Sequence, residues 1–206
     1  MPELTQPELT QPELAQPSAD VYSGGFADPA VASAHAFRAA MDVMARPGTW
    51  RPLTGGQAPE GLSIAAASLL LTLCDPDTGV YLAPDVDSAT LRGWLAFHTG
   101  APVVAAGDAD FALGGWAALM PLDQYRIGSS EYPDRSATLV VELPRIPAPN
   151  ARLSGPGIKE TAQAWVPDLA LMQRNAMLYP LGVDFFFTCG SEVAALPRSS
   201  QITAEG

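Results

Sequence analysis

The run Val183-Asp184-Phe185-Phe186-Phe187-Thr188-Cys189 is apolar at nearly every position. A strand with one wet face alternates apolar and polar residues, whereas a continuous apolar run predicts a strand covered on both faces. Thr138 to Leu143, with Val and Leu throughout, reads as a second strand. Shorter strands are expected at Val80–Leu82, Val103–Ala105, Asp110–Leu113 and Arg152–Ser154. Gly190-Ser191 turns the chain, so Val193–Leu196 should return as a hairpin.

Helical patterns fall between these strands. Asp28 can cap and Pro29 suits a first helical position, so a helix is expected from there to about Ala45, ended by Pro47-Gly48. Its expected inward stripe is Ala34, Phe37, Met41 and Met44, with Arg38, Asp42 and Arg46 on another face as a solvated charge ladder. Residues 62–74, LSIAAASLLLTLC, predict a helix apolar nearly all round and hence buried. Further helices are expected at Ser88–Phe97, at Pro167–Leu178 and, briefly, at Trp116–Met120. Alternating helices and strands closed by a hairpin predict an α/β fold, a single-domain mixed sheet flanked by helices.

Composition narrows the function. The chain has 206 residues, 48% hydrophobic and 16% charged, enough to bury a core and unlike a disordered polymer. A net charge of −11 argues against a nucleic-acid partner, which needs a basic face. The absence of an apolar run of about 18 residues argues against a membrane span. MPELTQPELT lacks the basic and apolar regions of a secretory signal, so a cytoplasmic location is expected. Residues 2–16 repeat a pentad, PELTQ-PELTQ-PELAQ, in which proline interrupts any helix. Residues 1–20 are therefore expected to form a disordered acidic tail, and residues 21–206 one domain. The tail holds four acids and no base, leaving −7 on the domain.

Reactive side chains are scarce. Lys159 is the one lysine, His35 and His98 the two histidines, and Cys74 and Cys189 the two cysteines, expected to be buried thiols. No P-loop, GxGxxG, GxSxG or HExxH pattern is present. Asp75 and Asp77 read as turn capping before they read as a cation site. Gly155-Pro156-Gly157, followed by Ile158-Lys159, reads as a turn before an anion nest, and Tyr132-Pro133-Asp134-Arg135-Ser136 as a solvated turn. His98 ends a helix, where an imidazole can meet the last carbonyls. These residues alone define an acidic α/β protein with a capacity for anions.

Six ordered segments carry a resemblance: FRAAMDVMARPGT (37–49), LLLTLCDPDTGVYL (69–82), FHTGAPVV (97–104), RLSGPGI (152–158), YPLGVDFFFTCG (179–190) and ALPRSS (195–200). From about residue 24 to 202 the chain resembles the H subunit of bacterial carbon–phosphorus lyase. The resemblance implies a fold similar to pyridoxal-phosphate-dependent transferases but without that cofactor, and a homodimer. It implies a core complex with the G, I and J subunits, acting functionally with the L subunit, in which a phosphonate displaces adenine from ATP. No metal or other cofactor is expected. The matching segments offer His98, Asp184, Arg198 and Arg46 as ligand-binding candidates. A stand-alone transferase or hydrolase using Asp and Arg, or a pure assembly scaffold, are the alternatives. A −7 domain repels ATP and phosphonate, so anion binding would require a local arginine pocket or a more basic partner.

Overall fold

The computed structural model describes residues 23–205; the pentad repeat lies outside them. β4 (Val80–Leu82), β5 (Phe111–Gly115), β6 (Thr138–Glu142) and β9 (Asp184–Cys189) pair in parallel. β10 (Glu192–Leu196) and β2 (Arg51–Pro52) extend the sheet antiparallel beyond β9, giving the order β2-β10-β9-β6-β5-β4. Val140 pairs with Phe186 at its centre.

Both faces of this sheet are covered. The pleat sends Phe186 and Val140 into one core and Phe185, Phe187, Leu139 and Val141 into the other. The first core is closed by α1 (Pro29–Ala45), α2 (Ile64–Leu73) and α3 (Ala89–Thr99). The second lies under α4 (Leu169–Met177) and a small antiparallel sheet of β7 (Ala151–Ser154), β8 (Ala162–Ala164) and β11 (Gln201–Ala204). β1 (Gly25–Phe26) and β3 (Gly56–Gln57) form a further ribbon.

The helices start where their caps lie. The carboxylate of Asp28 and the hydroxyls of Ser63 and Ser88 accept from the amides of Val31, Ala66 and Leu91. Gly100, with φ of 73°, closes α3 in the left-handed conformation that suits glycine.

Several expectations are corrected. α1 buries Ala36, Ala40 and Val43, while Phe37 and Met41 stand 51% and 55% exposed. Its small residues allow close approach to the alanines of α2, and larger side chains there would hold the helices apart. Residues 116–120 form a turn, because Pro121 follows and disfavours helix in the residue before it. Val103 makes one bridge, to Val80, between Pro102 and a short 3₁₀ turn at Ala106–Asp108. Cys74 is buried and its thiol is pushed up to about 12 by burial, but Cys189 is only partly covered at the end of β9.

The inverted packing of α1 sets opposite outcomes for neighbouring substitutions. Ala40→Leu should cost about 1–3 kcal/mol through overpacking. Phe37→Ser should change stability by no more than about 0.5 kcal/mol. Urea unfolding of the two variants measures both; the reverse order would restore the original stripe.

Candidate functional site

In an open parallel sheet, ligands bind outside the carboxyl ends of the strands, and helix N-termini there attract anions. Here two acids of the chain occupy that edge. Asp85, just past β4, accepts from the Gly115 amide at 2.8 Å at the end of β5. A Cβ on Gly115 would stand 2.7 Å from an Asp85 oxygen, so a larger residue there would push the carboxylate aside. Glu142, at the end of β6, accepts from the backbone N–H of Ser63, the N-cap of α2, at 2.9 Å. Its other oxygen lies 3.2 Å from the Thr188 hydroxyl. A carboxyl thus fills the place a phosphate would take at this helix. Burial, with Asp85 nearby, pushes the Glu142 pKa up, against the opposing effect of its hydrogen bonds.

The opposite edge holds two of the sequence-derived candidates. Asp184 opens β9 and Arg198 follows β10. The Arg198 Nε lies 3.1 Å from both Asp184 oxygens, and Nη2 donates to Oδ2 at 2.5 Å. The Arg198 amide donates to Oδ1 at 2.8 Å, and Nη1 to the Pro133 carbonyl at 2.7 Å. The side chains are 14% and 18% exposed, so this is a largely buried clamp. It ties the 128–136 loop to β9. Its guanidinium is engaged within the fold on both its Nε side and its Nη1 end.

The remaining candidates do not join them. His98 lies in the last turn of α3, its ring 5.1 Å from that of Trp94 and 4.9 Å from that of Phe97, with Nε2 3.3 Å from the Ser23 carbonyl oxygen. Arg46 caps α1 and pairs with Asp42, which also accepts from Arg51 Nε at 2.8 Å. Arg51 thus replaces Arg38 in the expected ladder, and its hydrogen bond is the largest influence holding the Asp42 carboxyl below its ordinary range. Lys159 is exposed between β7 and β8. Asp75 accepts from the Asp77 amide and the Thr78 hydroxyl, as a turn cap does. Arg135 stacks over the Tyr132 ring at 4.0 Å. Among the described residues, no group of three or more His, Cys, Asp or Glu could hold a metal ion.

A groove of about 540 Å³ lies between α4 and the 121–127 segment. Val183, on its floor, exchanges two 2.9 Å hydrogen bonds with the Asn175 side chain of α4. Asp184 is the next residue in the chain, but none of the clamp residues lines the groove. Asp85, Glu142 and the groove escaped sequence reasoning because their parts are far apart in the chain; the Asp and Glu closing strand patterns were the available signal.

The architecture is that of a mixed α/β protein whose polar sheet edges are largely hydrogen-bonded from within. Residues 24–203 match the family described as bacterial phosphonate metabolism protein (PhnH), and the chain belongs to that family. The six ordered segments resemble the same family. The chain is 39% identical, over 91% of its length and 98% of the relative's, to a Rhizobium meliloti protein named alpha-D-ribose 1-methylphosphonate 5-triphosphate synthase subunit PhnH. It is 31% identical, over 83% of its length and 86% of the relative's, to a putative C-P lyase subunit protein HtxG of Stutzerimonas stutzeri.

Two predictions follow from the edges. Arg198→Ala and Asp184→Ala should each cost about 3 kcal/mol, because each leaves a mostly buried charge unpaired. The double variant should cost clearly less than the sum; additive losses in a denaturation cycle would deny the coupling. The raised pKa of Glu142 means the fold prefers its protonated form. That contribution is present below the ordinary value of 4.5 and is lost as pH rises through the higher folded value. Glu142→Gln should therefore equal or exceed the parent in stability at pH 7, with a flatter profile from pH 4.5 upward. Glu142→Ala, which takes away the acceptor of the Ser63 amide while the Ser63 hydroxyl still caps α2, should lose about 1 kcal/mol. A Gln variant as weak as the Ala variant would contradict this.

Proposed function

We propose that this chain is a non-autonomous subunit of the carbon–phosphorus lyase core complex. It supports transfer of a phosphonate to the ribose of ATP with release of adenine, yielding ribose 1-phosphonate 5-triphosphate. The observation that carries this reading is the 39% identity across nearly the whole of a relative named as a subunit of that synthase.

The site geometry supports a dependent role. Displacement at the ribose carbon needs the triphosphate and the phosphonate held together. The helix N-terminus at the sheet's carboxyl edge carries Glu142, and Arg198 is bound to Asp184 and Pro133. A chain of net charge −11 needs a more basic partner to gather two anions. The proposed partners are a second copy of this chain and the G, I and J subunits, with the L subunit acting functionally alongside. The work is assigned to the cytoplasm, and among the described residues no helix is long and apolar enough to cross a membrane.

The reading extends to the fold's kinship with pyridoxal-phosphate-dependent transferases and to one domain over residues 21–206 with an appended tail. No pyridoxal phosphate and no metal enter it. Lys159, the one amine for a Schiff base, is exposed on a loop beside the small sheet. Purified protein should show no visible absorption band that borohydride abolishes.

A tag on this chain should co-purify the G, I and J subunits from cells grown on methylphosphonate as sole phosphorus source, and deletion of its gene should abolish that growth. Recovery of the chain without them, together with normal growth of the deletion strain, would refute the reading. His98→Ala and Arg46→Ala test ligand contact: growth restored by both removes these residues from the site.

A further inference from the structure

The groove beside α4 has an apolar body and a charged rim. Leu122, Tyr125 and Ile127 form one wall, Leu171 and Leu178 the other, and Val183 the floor. The Asn175 amide is held by both backbone groups of Val183, so the floor is fixed. Gly182, just before Val183, has a φ of 110°, and a Cβ there would meet the Asn175 oxygen at 2.9 Å. The Tyr125 hydroxyl donates to the Leu119 carbonyl at 3.0 Å, and burial pushes its pKa up, so the phenol stays neutral.

Arg174 stands at the rim. Acids outnumber bases two to one in this chain, and Arg46, Arg51, Arg92, Arg126 and Arg198 all have carboxylate partners. Arg174, like Arg38, Arg135, Arg145 and Arg152, has no such partner among the described residues, and of these five it is the one that lines the groove. Asp123 lines the same groove and lies beyond ion-pair distance of it. Two other concavities differ. One is lined by Ser23, Gln57 and Glu60 without a guanidinium, and the other is a slot of about 160 Å³ beside Trp50 and Trp165, also without one.

We propose that this groove is a binding site for a small organic anion with a compact apolar body, the anionic head on Arg174 and the body between Ile127 and Leu171. A guanidinium offers paired N–H donors that suit a carboxylate or a phosphonate equally. The volume lies within the range of small-molecule pockets, and the apolar walls reward a ring or branched chain over a bare ion. Asp123 at the rim disfavours ligands carrying more than one anionic group. The site depends on this chain's own residues, so it stands or falls apart from the assembly role proposed above.

The test is calorimetric titration of the full-length chain with phenylphosphonate and with benzoate. At least one should bind at millimolar concentration or better. Preference for one names the head group, and equal binding assigns the shared chemistry. Inorganic phosphate, which lacks the body, and benzyl alcohol, which lacks the charge, should each bind at least tenfold more weakly. Arg174→Ala should weaken binding at least tenfold with an unchanged melting temperature, and Arg174→Lys should recover part of the loss. Ile127→Trp, filling the groove, should abolish binding with the Arg174 guanidinium intact. The proposal is overturned if neither aromatic anion binds, if phosphate competes equally, or if the Arg174→Ala protein binds as the parent does.

Discussion

The molecule depends on the burial of β6 and β9 between two apolar layers. A strand covered on both faces must be apolar at successive positions, and Phe185, Phe186 and Phe187 meet that demand by alternating between the two cores. Each large aromatic side chain so buried removes some 150–250 Å² of surface from water. The three helices on one face, and α4 with the small sheet on the other, are the coverings this pair of strands requires. Polar side chains can then enter the sheet only at its two ends.

What happens at those ends shapes the chemistry. At the carboxyl edge, Glu142 reaches across 79 residues of sequence to the start of α2, and Asp85 reaches the Gly115 amide. At the other edge, Arg198 is clamped by Asp184 and fastens the 128–136 loop. Glu142 and the Arg198–Asp184 pair are largely buried, and left unpaired each charge would cost several kcal/mol. At the carboxyl edge, Glu142 occupies a position that many α/β proteins leave open to a phosphate. The chain's relatives are named as subunits.

Long apolar runs were legible in the sequence. The strands at 138–143 and 183–189, the buried helix at 62–74, the helix from Ser88 and the cap at Asp28 all stand close to their expected bounds. The orientation of α1 was not, because an alanine-rich helix offers little polar contrast and its partner helix, also alanine-rich, selects the small face over the bulky one. The two-residue strands β1, β2 and β3 escaped because such short edges have no period to detect. Asp184 and Arg198 could be picked out as candidates, yet their pairing, which turns two possible ligand contacts into a structural clamp, is a property of the β9–β10 hairpin. The groove is assembled from three segments that meet only in the folded chain.

In this fold Arg198 and Asp184 pair with each other and Glu142 accepts from the start of α2, and the proposed function gives the chain a dependent role. The most direct measurement is adenine release from ATP and methylphosphonate by the purified chain alone. Release should not exceed a protein-free control and should appear when the partner subunits are added. Sustained adenine release by the chain alone would contradict it.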